Sequence, residues 1–226
     1  MTATATTTTT IPPRHDLYAA IHKGLRAFMT HTLLRVGRLD PHDPTDVVEA
    51  MEELNALMDI CEGHLAHENA HIHVALEARR PGSSAALAAE HDQHLHAIAN
   101  LRAMAHLVPG SDEAAHALYH ALSAFVAHNL DHMGEEETGH NAVLWATHTD
   151  DELRGIHQAI LADLRPEEMQ VALRWMLPHL SPAERAGLLG GLRADAPPAI
   201  FENVLALVRP LLGGRDWKKL SLALGL

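Results

Sequence analysis

Apolar residues recur at three- and four-residue spacings through most of this chain, the period of an α-helix with one buried face. Four long runs carry the pattern. The first spans about 15–37, with Tyr18, Leu25, Met29, Leu33 and Val36 on one stripe and His22 inside it. The second spans about 46–79. Its stripe runs Val47, Met51, Leu54, Leu57, Cys61 and then turns polar at His64, Glu68 and His71. Asp46 and Glu49 have the spacing of a capping box at its start. The third spans about 84–108, with Leu87, His91, His94, Ile98, Leu101, Ala105 and Val108 in phase. The fourth spans about 112–147, with Leu118, Leu122, Phe125, His128, His132, Glu136 and Val143. Pro81-Gly82-Ser83 and Pro109-Gly110-Ser111 make the tight connections. Long helices joined by short turns predict an all-α fold, an up-down-up-down four-helix bundle over 14–148.

The second and fourth runs repeat each other. At an offset of 68, Leu54 matches Leu122, Ala56 matches Ala124, His64 matches His132, Glu68 matches Glu136, Leu76 matches Leu144 and Ala78 matches Ala146. At an offset of 69, Ala19-Ala20-x-His22 matches Ala88-Ala89-x-His91. A helix pair used twice predicts approximate two-fold symmetry. His64 and Glu68 sit one helical turn apart on one face, and so do His132 and Glu136. Polar groups on a core face need partners. These two His-x-x-x-Glu segments, with His22 and His91, converge on a cage for a pair of metal ions.

Residues 149–226 have a different texture. Proline and glycine punctuate short apolar helices at about 150–164, 167–179, 182–194, 198–212 and 215–224. Ser181-Pro182-x-Glu184 is a strong helix start. This segment reads as a helical extension for packing or homo-oligomerisation, with no chemistry of its own.

Composition narrows the function. Apolar residues make up 47% and aromatics 4%, and the formal net charge is −12. So acidic a chain is a poor partner for nucleic acid or an anionic membrane. No run reaches the ~20 apolar residues of a bilayer span. Residues 1–13 lack the regions of a signal peptide and read as a disordered tail. The single cysteine, Cys61, excludes an internal disulfide and a thiolate cluster. A cytoplasmic location is expected. Histidine is the anomaly. Of 20, 18 precede position 150, and neutral imidazole is the commonest protein metal ligand.

His22, His64-x-x-x-Glu68, His91 and His132-x-x-x-Glu136, in this order over four helices, resemble the hemerythrin-like (HHE cation-binding) family. The resemblance covers roughly 14–148. Trp175 through Glu184 is more loosely similar to extensions on some bacterial members. The resemblance implies two non-haem iron ions, oxo- or hydroxo-bridged, that bind or react with O2, H2O2 or NO. It implies His22, His64, Glu68, His91, His132 and Glu136 as ligands. The oxygen carriers of the family have a further histidine four residues after the third-helix ligand, where this chain has Leu95. Four histidines and two glutamates are closer to the iron-sensing hemerythrin-like domain of an F-box ubiquitin-ligase subunit. With both glutamates and one oxygen bridging, each iron keeps one open position, which suits reaction as well as carriage.

Other residues border this set. His94 is an alternative to His91. His71 and His128 share the stripes and read as groups lining the site, with His67 flanking it. His73, His96, His106, His116, His120, His140 and His148 read as solvated. Among Glu135, Glu136 and Glu137, the phases relative to His132 are about −60°, 40° and 140° at ~100° per residue. Glu136 is therefore the chosen ligand, and Glu137 would reach the site only through a bulge near Gly134. Two other readings compete: an iron or oxygen/redox sensor without turnover, signalling through the C-terminal helices, and a non-catalytic His-rich helical scaffold.

Overall fold

The structure, a computed structural model, describes residues 14–226. The tail expected over 1–13 lies outside the described residues. The fold is all-helical, with no strand among the described residues. Helix α1 spans Ala19–Gly37, α2 Pro44–His67, α3 His73–Arg79, α4 Ala85–Ala105, α5 Asp112–Glu135 and α6 Asn141–Thr147. Helix α1 packs on α2 and α5, and α4 packs on the same two. Between them lies an apolar core that includes Leu25, Phe28, Leu54, Leu57, Met58, Ile98, Leu101, Leu118 and Leu122.

The helix starts follow local chemistry. Helix α2 begins earlier than the expected Asp46–Glu49 box. Asp43 is its N-cap, accepting from the Thr45 and Asp46 amides, and Pro44 takes the first turn. Asp46 instead accepts the Asp40 amide at 2.8 Å and pairs with Arg35 at 2.6 Å. Ser111 caps α5 through the Ala114 amide. The preceding Gly110 has φ of 74°, a left-handed conformation that favours glycine.

Two interruptions were not anticipated. A π-helical turn, Glu68–Ile72, joins α2 to α3, and a second, Glu136–His140, joins α5 to α6. Each closes a bond five residues long, from the His73 amide to the Glu68 carbonyl and from the Asn141 amide to the Glu136 carbonyl. The extra residue advances the buried stripe by one position. Ile72 is buried rather than His71, and Leu144 rather than Val143. In α5 itself, Asn129 is buried and His128 is exposed, so His128 does not line the site as expected.

Beyond residue 149 come α7 (Asp150–Asp163), α8 (Pro166–His179), α9 (Pro182–Asp195), α10 (Pro198–Val208) and α11 (Gly214–Leu224). Ser181 and Glu184 form the expected capping box. Buried Arg185 donates to the carbonyls of Leu177, Pro178 and Leu180, satisfying the end of α8. Leu173, Leu177, Leu189, Phe201, Val208 and Leu220 form a second core among α8–α11. Helix α8 lies along α1, where Phe28 stacks on Trp175 with ring centroids 4.2 Å apart. Gly24 permits this approach, because a Cβ there would come within 2.9 Å of the Met176 backbone. Among the described residues no helix is long and apolar enough to cross a membrane.

Candidate metal centre

Four helices and the first residues of the two π turns bring the six expected residues together. His22 comes from α1, His64 from α2, His91 from α4 and His132 from α5, while Glu68 and Glu136 open the turns. His22, His64, Glu68 and Glu136 form one group whose ligand atoms lie within 4.8 Å of one another. Glu68, His91, His132 and Glu136 form a second. The two glutamates are common to both. All but His64 are buried, and His64 is half-buried.

The hydrogen bonding sorts inner atoms from outer ones. His22 Nδ1 lies 3.1 Å from Glu137 Oε1, His132 Nδ1 2.8 Å from Glu90 Oε2, and His91 Nδ1 2.9 Å from Asn69 Oδ1. These oxygens only accept, so each Nδ1 donates and each neutral ring presents an unprotonated Nε2 inward. The inward nitrogens face each other. His22 and His64 Nε2 are 3.2 Å apart, and His91 and His132 Nε2 are 3.0 Å apart. Their contacts to Glu68 and Glu136, 3.1 to 3.7 Å, are too long or too oblique for hydrogen bonds. Among the described residues all four carboxylate oxygens are buried without a hydrogen-bond partner. With the rings neutral, so many buried acceptors facing one another are costly unless protons or a metal cation compensate them. Glu68, Glu136, Glu90 and Glu137 together carry the charge of two divalent ions. Imidazole and carboxylate without thiolate suit iron, zinc and manganese.

The field inside the cage is strongly negative. Burial pulls His22 down, yet Glu137, Glu68 and Glu136 outweigh it and hold the ring up at about 9. Burial likewise opposes His132, which Glu136, Glu90 and Glu68 hold at about 9. Glu68 is disfavoured by burial but kept well below the usual carboxylate range by His64 and His22. Glu136 is raised by burial and by Glu68, and the neighbouring His132 and His91 rings bring it below its ordinary value. Glu137, beside His22 and Arg26, is lowered to about 2 against its partial burial. Cys61 is buried, which pushes its thiol up to about 12.

The acidic triplet is divided by its surroundings. Glu136 is fully buried in the cage, Glu137 holds His22 and Arg26 from outside it, and Glu135 is exposed. His94 is buried edge-on against His132, with ring centroids 4.8 Å apart, outside both groups. His71 faces outward to Asp163 at 2.7 Å, so it does not line the cage. His67 lies near Glu168. His96, His106, His116 and His120 are exposed as expected.

Three histidines expected at the surface are buried: His73, His140 and His148. The π turns account for the first two. Five residues after Glu68, His73 is carried back over the cage and stacks on His91 at 4.8 Å and 17°. His140 meets it edge-on, and Tyr18 Oη lies 3.0 Å from His140 Nδ1. His73 and His140, with Glu136, form a third close group. Burial lowers both, His73 to about 4. Asn69 and Glu90 are the functional residues the sequence reading missed. Asn69 follows Glu68 and Glu90 precedes His91, positions that carry no signal without the fold. Residues 150–226 contribute to none of the close His/Glu groups found among the described residues.

Comparison with protein-family models, curated proteins and solved structures finds no match to this chain.

Proposed function

We propose that this chain is a hemerythrin-like non-haem di-iron protein that binds or reacts with dioxygen, hydrogen peroxide or nitric oxide. In this reading α1, α2 with α3, α4, and α5 with α6 form an up-down-up-down bundle. One observation carries the proposal: imidazole nitrogens and buried carboxylate oxygens face one another, and among the described residues no hydrogen bond reaches the carboxylates. His22 and His64 would hold one ion, His91 and His132 the other, and Glu68 and Glu136 would serve both. Glu137, Glu90 and Asn69 hold three rings in the metal-binding tautomer, as partners behind ligand histidines do in metal sites generally. The choice of iron rests on the resemblance of the ligand pattern. Iron, when bound, supplies the redox chemistry and the open coordination positions. The chain itself keeps water scarce around the cage and fixes where protons reside.

The test of reactivity is oxygen evolution or peroxide loss on adding hydrogen peroxide to the iron-loaded protein. Turnover that disappears in Glu136→Ala supports an enzyme. A sensor is favoured by a second observation: α7 packs on the π turn that begins with Glu68, and His71 bonds Asp163 at its end. Peroxide-inert protein whose oligomeric state changes with ligand supports that reading.

A further inference from the structure

The layer of Tyr18, His73 and His140 differs from the cage in one chemical respect. Three of the four cage histidines, His22, His91 and His132, are tied through Nδ1 to atoms that only accept, so their Nε2 atoms are acceptors when the rings are neutral. His140 is tied through Nδ1 to a hydroxyl. Tyr18 is fully buried, and among the described residues His140 Nδ1 is the one hydrogen-bond partner its hydroxyl has. If Nδ1 carried the proton, the phenol hydrogen would be buried with no acceptor, which costs the desolvation of that group. The phenol therefore donates to Nδ1, and the proton of the neutral ring sits on Nε2.

His140 Nε2 is buried with no hydrogen-bond partner among the described residues, and His140 belongs to the close group with Glu136. His73 Nε2 is the second such atom in the same group. Both rings are more than nine-tenths buried. The pair sits between the cage and an apolar plug of Ile72, Leu76, Leu144 and Leu153. A surface cleft of about 570 Å³ between Arg80, Ser83, Glu135 and Thr138 reaches His140.

We propose that His140, with His73 beside it, donates hydrogen bonds to a small anion of the hydroperoxide or azide type, seated at the edge of the cage next to Glu136. The inference rests on the di-cation reading of the cage, and it assigns the two histidines to the anion rather than to a third metal ion.

The probe is azide, titrated into the iron-loaded full-length protein in air and followed by its charge-transfer absorption. Iron content is measured on every sample first. His140→Ala should keep two irons per chain and bind azide about tenfold more weakly or worse, the loss expected for one charge-assisted hydrogen bond. Tyr18→Phe, which frees the His140 proton to move to Nδ1, should weaken azide in the same direction. His140→Gln, which retains an N–H donor, should recover part of the affinity. Azide affinity unchanged in His140→Ala and Tyr18→Phe overturns the proposal, as does wild-type protein with two irons and no azide band. Loss of iron in His140→Ala also overturns it and makes the residue a metal ligand. Wild-type protein that takes up no iron removes the cage reading itself, a result distinct from the others.

Discussion

At the scale of single residues, the groups behind the cage histidines are expected to matter nearly as much as the histidines themselves. Glu137 lies in a run of three glutamates that looks like a solvated face, yet it bonds His22 Nδ1 at 3.1 Å. Glu137→Gln keeps a side chain of the same shape but removes the charge. It should weaken metal binding by roughly 10–100-fold with helix content unchanged, read by competition with a chromophoric chelator. An affinity equal to wild type would show that the carboxylate is incidental. The same field sets a pH dependence. In the metal-free chain His22 and His132 are held at about 9, so both are protonated at pH 7. Ligation requires neutral imidazole, so loading at pH 7 should release about two protons, and affinity should rise with pH until it levels near 9. Calorimetry in two buffers of different ionisation enthalpy measures the release. Zero release would mean that these rings are not ligands.

At the scale of elements, the π turns explain where the sequence was legible and where it was not. Helical period located every long helix, because four stripes of leucine, isoleucine and methionine face a common core. It also put His22, His64, Glu68, His91, His132 and Glu136 on faces that meet, since His22 and His91 lie in uninterrupted helices and the other four lie at or before the start of a π turn. Beyond Glu68 and Glu136 an α-helical phase is wrong by one residue. That single residue sends His73 and His140 inward while sequence counting leaves them in solvent. It also exchanges His71 for Ile72 and Val143 for Leu144 in the buried stripe. A π turn has no composition signature of its own, and these two coincide with the polar centre of the fold, where such turns concentrate. Deleting Gly139 should restore α-helical length there. His132 and Glu136 precede the deletion, whereas everything after it turns by about 100°. Two metal ions per chain should be retained, with a lower melting temperature as Leu144 leaves its plug. Loss of metal from this variant would show that the turn shapes the cage itself.

At the scale of the whole molecule, three apolar clusters and a polar centre are held by one continuous set of helices. The helical extension read from proline and glycine punctuation lies against α1, where Gly24 admits Met176 and Lys23 pairs with Glu184 at 2.6 Å. The sequence showed that these helices had an apolar face to cover but not which surface covers it, because that depends on a close backbone approach at one glycine. The central claim concerns the middle of the molecule, where buried carboxylates and imidazoles need a cation. A group that binds only the folded state stabilises it. The most direct test is elemental analysis, with an optical spectrum, of the full-length chain expressed with ample iron and purified in air. The account predicts two irons per chain, near-ultraviolet absorption from a bridged ferric pair, and a melting temperature that falls when the iron is removed. Stoichiometric zinc, or no metal at all in a fully helical protein, would contradict it.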